Sequence, residues 1–223
     1  MPHLTSFDFS IPLAFMFDLD GTILDSTPWH MKAYLETLTR YAPHKIPEFK
    51  EDIIEGRGSK DVFLALGFTD NKEVSKLVEH KQKLYRSFVQ NKKVRLFDGV
   101  VDLINILKSK HRILILVTSS SNNTATFCLE ANGLTEAFNY IVTQDHVKFG
   151  KPEPDIFKYA LECAHLNPLE AITIEDSVIG VQASTAAGIP AVLVNKELDF
   201  PHVLTFRTFT DLLDNVYFDL GKD

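Results

Sequence analysis

Apolar residues recur along the chain in short runs, each followed by polar or small residues. The runs are Leu13–Phe17, Ile113–Val117, Ile141–Thr143, Ile172–Ile174 and Ala191–Val194. They are brief and mostly β-branched or aliphatic, as strands buried on both faces are. Helix-spaced positions lie between them. Val100, Leu103, Ile104 and Leu107 fit one helix face, and so do Ile156, Phe157, Ala160, Leu161 and Ala164. Pro152 and Pro154 mark the entry to the second helix, because a helix start leaves unpaired the N–H that proline lacks. The stretch Ser177 to Ala187 is rich in small residues, which suits close helix–sheet approach, and Gly188 and Pro190 end it. Strands alternating with helices predict an α/β fold with a parallel sheet. Catalytic groups in such a sheet gather at the carboxyl ends of its strands.

Residues 25–95 break this rhythm. Met31, Tyr34, Leu35 and Leu38 are helically spaced, and Val74, Leu77, Val78, Lys81, Leu84, Tyr85 and Phe88 form a longer helical stripe with no evident strand between. This predicts a small α-helical insert over 25–95, dividing a core of residues 1–24 and 96–223. Its stripes read as core packing.

The composition, 45% apolar and 24% charged over 223 residues, is that of a globular domain with room for an insert. A net charge of −7 argues against wide nucleic-acid or anionic-membrane surfaces, though not against a local basic pocket. The two cysteines, Cys128 and Cys163, read as free thiols of a reducing compartment. No apolar run approaches the ~18 residues of a membrane span. Residues 1–12 lack the basic-then-apolar pattern of a secretory signal. The expectation is a soluble cytoplasmic protein, a monomer or weak homodimer, with neither nucleic acid nor membrane as partner.

The chemistry concentrates at four places. Phe17-Asp18-Leu19-Asp20-Gly21-Thr22 follows the first apolar run. Residues i and i+2 of a strand share a side, and two carboxylates so placed repel unless a cation or proton sits between them. Val117-Thr118-Ser119-Ser120 ends the next strong run, where a hydroxyl and the N–H groups of a helix start can hold phosphate oxygens. Gly150-Lys151-Pro152 places a lysine just before a proline-started helix, and Glu175-Asp176-Ser177 puts an acidic pair at the end of Ile172–Ile174. Hard carboxylate oxygens suit Mg²⁺. A carboxylate attacking a phosphate ester meets like-charge repulsion, which a divalent metal and a lysine offset. Attack by the carboxylate itself splits one hard step into two through an acyl phosphate. A second carboxyl can protonate the leaving oxygen.

Asp18-Leu19-Asp20-Gly21-Thr22, Thr118-Ser119, Lys151-Pro152 and Glu175-Asp176 resemble, in order, the four motifs of the haloacid dehalogenase superfamily. The resemblance covers nearly the whole chain and implies a Rossmann-like core. Asp25-Ser26 and the helical insert resemble the subgroup with a small cap after the first motif, to which β-phosphoglucomutase and many sugar-phosphate phosphatases belong. It implies Asp18 as nucleophile and Mg²⁺ ligand, and Asp20 as general acid/base with its backbone carbonyl on the metal. Asp176 would bind Mg²⁺ with help from Glu175, and Thr118 or Ser119 together with Lys151 would hold phosphoryl oxygens. The acid at position 20 resembles the phosphate-ester branch, since true dehalogenases lack it.

Glu55-Gly56-Arg57-Gly58-Ser59-Lys60-Asp61, with two glycines and two cations, reads as a substrate-specificity loop in which Arg57 or Lys60 reaches a distal anion. His30 and Asn123 resemble residues of the mutase type. The reading is a Mg²⁺-dependent phosphatase of a small phosphorylated metabolite, a sugar or polyol phosphate. The alternative is β-phosphoglucomutase-like transfer of the phosphoryl group to a second sugar hydroxyl.

Overall fold

The computed structural model describes residue 9 and residues 11–196 and 203–216. The stretch read for a secretory leader, 1–12, lies mostly outside them. In chain order the elements are β1 (Ala14–Phe17), β2 (Leu24–Asp25), α1 (Thr27–Tyr41), α2 (Ser59–Ala65), α3 (Asn71–Gln90), β3 (Arg95–Leu96), α4 (Val100–Ser109), β4 (Ile113–Thr118), α5 (Asn122–Ala131), β5 (Tyr140–Thr143), α6 (Asp155–Ala164), β6 (Ala171–Glu175), α7 (Val178–Ala186), β7 (Ala191–Val194), β8 (Leu204–Phe206) and α8 (Phe209–Asn215). Short 3₁₀ turns, including Pro43–Glu48 and Glu51–Ile53, join some of them.

Six strands form a parallel sheet in the order β5-β4-β1-β6-β7-β8, with β1 in the middle. Strand alternation explains its two-sided burial. Phe15 and Phe17 face one apolar layer with Leu116, Ile174 and Phe209, while Ala14 and Met16 face the other with Ile115, Val117, Ile156 and Phe157. The register sets Phe17 of β1 opposite Leu116 of β4 and Ile174 of β6. The polar residues that follow these strands therefore emerge side by side.

The insert is helical. α1 packs on α3, and α2 on α3, around an apolar centre of its own that includes Tyr34, Leu38, Phe49, Phe63 and Leu77. α1 starts at Ser26 with Pro28 in its first turn, and the Asp70 side chain caps α3 by accepting from the Glu73 N–H at 2.8 Å. Three strands escape the apolar pattern. β8 is a three-residue strand at the sheet edge, too short to display a period. β2 and β3 pair antiparallel, Leu24 opposite Leu96 and Asp25 opposite Arg95, where the insert leaves and rejoins the core. Among the described residues, no helix is long and apolar enough to cross a membrane.

Candidate active site

The carboxyl ends of β1, β4 and β6 assemble the first cluster. The Asp18 N–H still donates to the Ile174 carbonyl at 3.1 Å, so the strand pairing holds Asp18 beside Glu175. The Lys151 Nζ, arriving on the loop before α6, donates to Asp18 Oδ1 at 2.7 Å, Glu175 Oε1 at 2.6 Å and the Val117 carbonyl at 3.1 Å. Burial opposes the charge on Lys151, but Asp18 and Glu175 overrule it and hold its pKa above the ordinary lysine range. Thr22, within the first motif, donates to Asp176 Oδ1 at 3.2 Å and lies 3.5 Å from Asp18 Oδ2.

Three carboxylates meet here. One oxygen each from Asp18, Glu175 and Asp176 lies within 4.8 Å of the others. Burial, joined by mutual repulsion, pushes all three carboxyls above their ordinary pKa range despite Lys151. The Glu175 Oε2 is buried without a hydrogen-bond partner. A Cβ added at Gly21 would lie 2.2 Å from Asp176 Oδ2, and one at Gly180 2.0 Å from Glu175 Oε2. Glycine at both positions leaves room for the carboxylates. An excess of hard oxygen donors with an orphaned lone pair fits a divalent cation.

Asp20 faces the other way, toward the cap. Its Oδ1 accepts from His30 Nε2 and from the Tyr85 hydroxyl, both at 2.9 Å, and its Oδ2 accepts from Ser120 Oγ at 2.7 Å. Burial alone would raise its pKa, but His30, Ser120 and Lys81 hold it well below the usual carboxylate range. His30 stacks on Tyr85, ring centroids 3.8 Å apart, and its Nδ1 lies 2.6 Å from Lys81 Nζ. With a carboxylate at Nε2 and an ammonium at Nδ1, the network assigns the imidazole hydrogen to Nε2. Lys81 also donates to Ser59 Oγ at 3.2 Å, and burial pushes its pKa down to about 8 against the pull of Asp20.

The hydroxyl run Thr118 to Ser121, any of which could face a phosphoryl group on sequence grounds, divides its tasks. Thr118 is buried and accepts from the Ser120 N–H at 3.0 Å. The Ser119 hydroxyl instead donates to the Gly56 carbonyl of the cap at 2.8 Å, so its side chain is spent on holding the cap loop. Ser120 binds Asp20, and Ser121 donates to Thr124 Oγ1 at 3.1 Å at the start of α5.

Asp18, Asp20, His30, Arg57, Thr118 and Asp176 line one cavity of about 540 Å³ between cap and core. An adjoining space of about 580 Å³ includes Arg57, Lys60, Gln144 and Lys148 in its wall. Arg57 anchors its Nη1 on the carbonyls of Asp52 and Ile53, at 3.1 and 3.0 Å. Asn123 is exposed in the first turn of α5, where Thr124 is the buried residue, and is not among the residues lining these two spaces. Lys81 and Tyr85 stood in the sequence only as members of the apolar stripe of α3, not as site residues. A lysine within an apolar helical stripe was the available signal for Lys81, and its tip meets His30 where packing had been expected.

A family model described as haloacid dehalogenase-like hydrolase matches residues 15–194. The chain belongs to that family and is one of its hydrolases. It is 32% identical over 181 residues to fructose-1-phosphate phosphatase YqaB of Escherichia coli, spanning 79% of this chain and 93% of that protein. To a phosphorylated carbohydrates phosphatase of Thermotoga maritima it is 30% identical over 182 residues, or 80% and 83% of the two chains. The crystal structure of a hydrolase from Pseudomonas syringae superposes with a TM-score of 0.80 at 25% identity, covering 91% of this chain and 96% of that one.

Proposed function

We propose that this chain is a Mg²⁺-dependent phosphatase that hydrolyses a small sugar or polyol phosphate through an aspartyl-phosphate on Asp18. The carrying observation is the Asp18–Lys151–Glu175 contact beside Asp176, formed where three adjacent strands end. The named activities of the Escherichia coli and Thermotoga maritima relatives support the substrate class. Asp18, Asp176 and the Asp20 backbone carbonyl, with Glu175, would hold the cation, which when bound neutralises phosphate charge.

Lys151 and Thr118 receive phosphoryl oxygens and orient phosphorus toward Asp18. An Asp18 carboxylate oxygen attacks phosphorus, the ester P–O bond breaks, and the leaving oxygen takes a proton through Asp20. The ionised Asp20 carboxylate is supplied from His30 Nε2 while His30 Nδ1 takes a proton from the Lys81 ammonium, and the proton gained in the second step returns along the same path. Asp20 then takes a proton from water as that water attacks the aspartyl-phosphate, releasing phosphate and restoring Asp18. His30 and Ser120 hold the Asp20 carboxylate in place for that second step, and Arg57, on the cavity wall, and Lys60, on the wall of the adjoining space, are the cations available to the far end of the leaving group. The cap spans 25–95, the core the remainder, and the β2–β3 ribbon is the junction between them. The two unpaired thiols suit a cytoplasmic setting.

The test is a Mg²⁺-dependent screen over sugar, polyol and carboxylate phosphates that includes fructose 1-phosphate. Phosphate release is followed alongside conversion of β-glucose 1-phosphate to glucose 6-phosphate with a bisphosphate primer. Phosphate release, abolished in Asp18→Asn with an unchanged fold, is the expected result. Primer-dependent isomerisation with little free phosphate would replace the phosphatase by a mutase. Retained turnover in Asp18→Asn would remove Asp18 as nucleophile.

A further inference from the structure

The cap loop between the Glu51–Ile53 turn and α2 is seated on the core at several points. Ser119 holds the Gly56 carbonyl. A Cβ added at Gly56 would lie 2.8 Å from Ser177 Oγ, and one at Gly58 3.1 Å from the Ser119 carbonyl. The two glycines therefore let the loop's backbone reach the core, a reason distinct from the turn that the sequence suggested. Lys196 Nζ donates to Glu55 Oε1, joining the same loop to the residue pair that follows β7.

The other member of that pair, Asn195, is turned toward the catalytic loop. Its backbone is left-handed, with φ of 59°, a conformation asparagine tolerates better than most residues. Its Nδ2 donates to the carbonyls of Gly21 and Thr22, both at 2.9 Å. These carbonyls belong to the turn that carries Asp20, and the Gly21 backbone in turn packs against the Asp176 carboxylate. Two consecutive residues thus grip opposite partners, Asn195 the Asp20 turn and Lys196 the cap loop. The left-handed backbone at Asn195 sets the angle between the two side chains.

We propose that Asn195 and Lys196 are positioning residues that couple seating of the cap loop to placement of the Asp20 turn. This rests on the phosphatase reading for its kinetic consequence, though not for the coupling itself. Both residues line the cavity that holds Asp18 and Asp20, and their side-chain hydrogen bonds go to the Asp20 turn and to Glu55. Lys196 governs how the loop bearing Arg57 sits over the substrate, and Asn195 governs how Asp20 meets the leaving oxygen.

The coupling is tested first without turnover. Trypsin cleavage after Arg57 reads loop seating in the intact protein. Lys196→Gln is expected to speed it at least about fivefold, as loss of a charge-assisted contact allows. Glu55→Gln/Lys196→Gln together should be no faster than Lys196→Gln alone. Cleavage unchanged in Lys196→Gln, or effects of the two substitutions that multiply, overturns the latch. The kinetic arm uses fructose 1-phosphate with Mg²⁺. Lys196→Gln should raise KM with a smaller change in kcat. Asn195→Gly keeps the left-handed backbone and deletes the two donors. It should lower kcat about tenfold with KM within twofold. An unchanged kcat in Asn195→Gly, in an enzyme that turns over the ester, overturns the role of Asn195. Asn195→Gly, which alters only the grip on the Asp20 turn, should also speed cleavage after Arg57, and cleavage at the wild-type rate there overturns the coupling. A wild type that hydrolyses no phosphate ester would instead refute the phosphatase reading, while this proteolysis arm still decides the coupling.

Discussion

Among the described residues two lysines are buried, one in the core and one in the cap, and their surroundings drive them in opposite directions. Lys151 is 5% exposed and sits between two carboxylates, at 2.7 and 2.6 Å. Lys81 is 3% exposed, and it meets an imidazole nitrogen, a serine hydroxyl and the ring faces of Tyr34 and Tyr85 at 4.4 and 5.2 Å. Desolvation disfavours the charge of both. Direct counter-charge reverses that at Lys151, whose pKa is pushed up, whereas the ring faces and the more distant Asp20 do not at Lys81, whose pKa is pushed down to about 8. The core lysine is therefore a fixed positive charge, suited to phosphoryl oxygens. The cap lysine gives up its proton far more readily, and the Nδ1 of His30 next to it connects it to Asp20.

The largest effect is expected at the core lysine. Lys151→Met leaves Asp18 and Glu175 buried against each other with no cation between them. Removing one partner of a buried ion pair costs about 3–5 kcal/mol, so urea unfolding in EDTA should show a loss of that order. Phosphate release should fall by more than about a thousandfold, since the electrostatic complement of the transferring group is gone. A Lys151→Met protein as stable as wild type without metal would mean that the carboxylates find another neutraliser.

Lys81→Met should separate the two lysines sharply, because here stability and activity are expected to move apart. An unfolded lysine titrates at 10.5 and the folded one near 8. Between these values the unfolded chain binds more protons, so this group makes stability rise with pH across that window. Below about pH 8 the burial penalty is present in full, on the order of 3 kcal/mol. Lys81→Met deletes it, so the variant should gain stability over wild type at pH 7, and the gain should shrink toward pH 10. Its kcat should fall about 10- to 100-fold, because His30 loses the donor that fixes its tautomer. Denaturant unfolding at several pH values checks the first part. A variant destabilised at pH 7 would place Lys81 with Lys151 as a well-compensated charge.

The same contrast marks what the sequence makes legible. Asp18, Thr118, Lys151 and Glu175-Asp176 each follow an apolar run or precede a proline-started helix, so local pattern plus the rule of strand ends brings them together. The strands of the sheet interior announce themselves because both faces are buried. β8 is a half-buried edge of three residues, and β2 and β3 have two residues each, too few for any period. Lys81 hides for a different reason. Its 3.6-residue spacing places it on the buried face of α3, but spacing does not reveal that the facing partner, His30, lies 51 residues away. Asn195 and Lys196 act on partners 174 and 141 residues distant, and nothing local distinguishes them from an ordinary strand exit.

The smallest expected effect lies within the cap lysine's own network. Tyr85 donates to Asp20 at 2.9 Å, stacks on His30, and lies 3.9 Å from the buried Cys128 thiol. Tyr85→Phe keeps the ring, and with it the stacking and the face offered to Lys81, and removes only the hydroxyl. A hydrogen bond to a charged acceptor contributes about 1.5–3 kcal/mol, but Asp20 retains His30 and Ser120, so the loss should fall near the lower bound, about tenfold in kcat. KM should hold within about twofold, because the hydroxyl faces Asp20 and not the phosphoryl site. If kcat instead fell as far as in Lys81→Met, the ring hydroxyl would be a member of the proton-handling network in its own right. If it did not change at all, His30 and Ser120 would suffice to aim Asp20, and the cap's contribution would narrow to the Lys81–His30 arm.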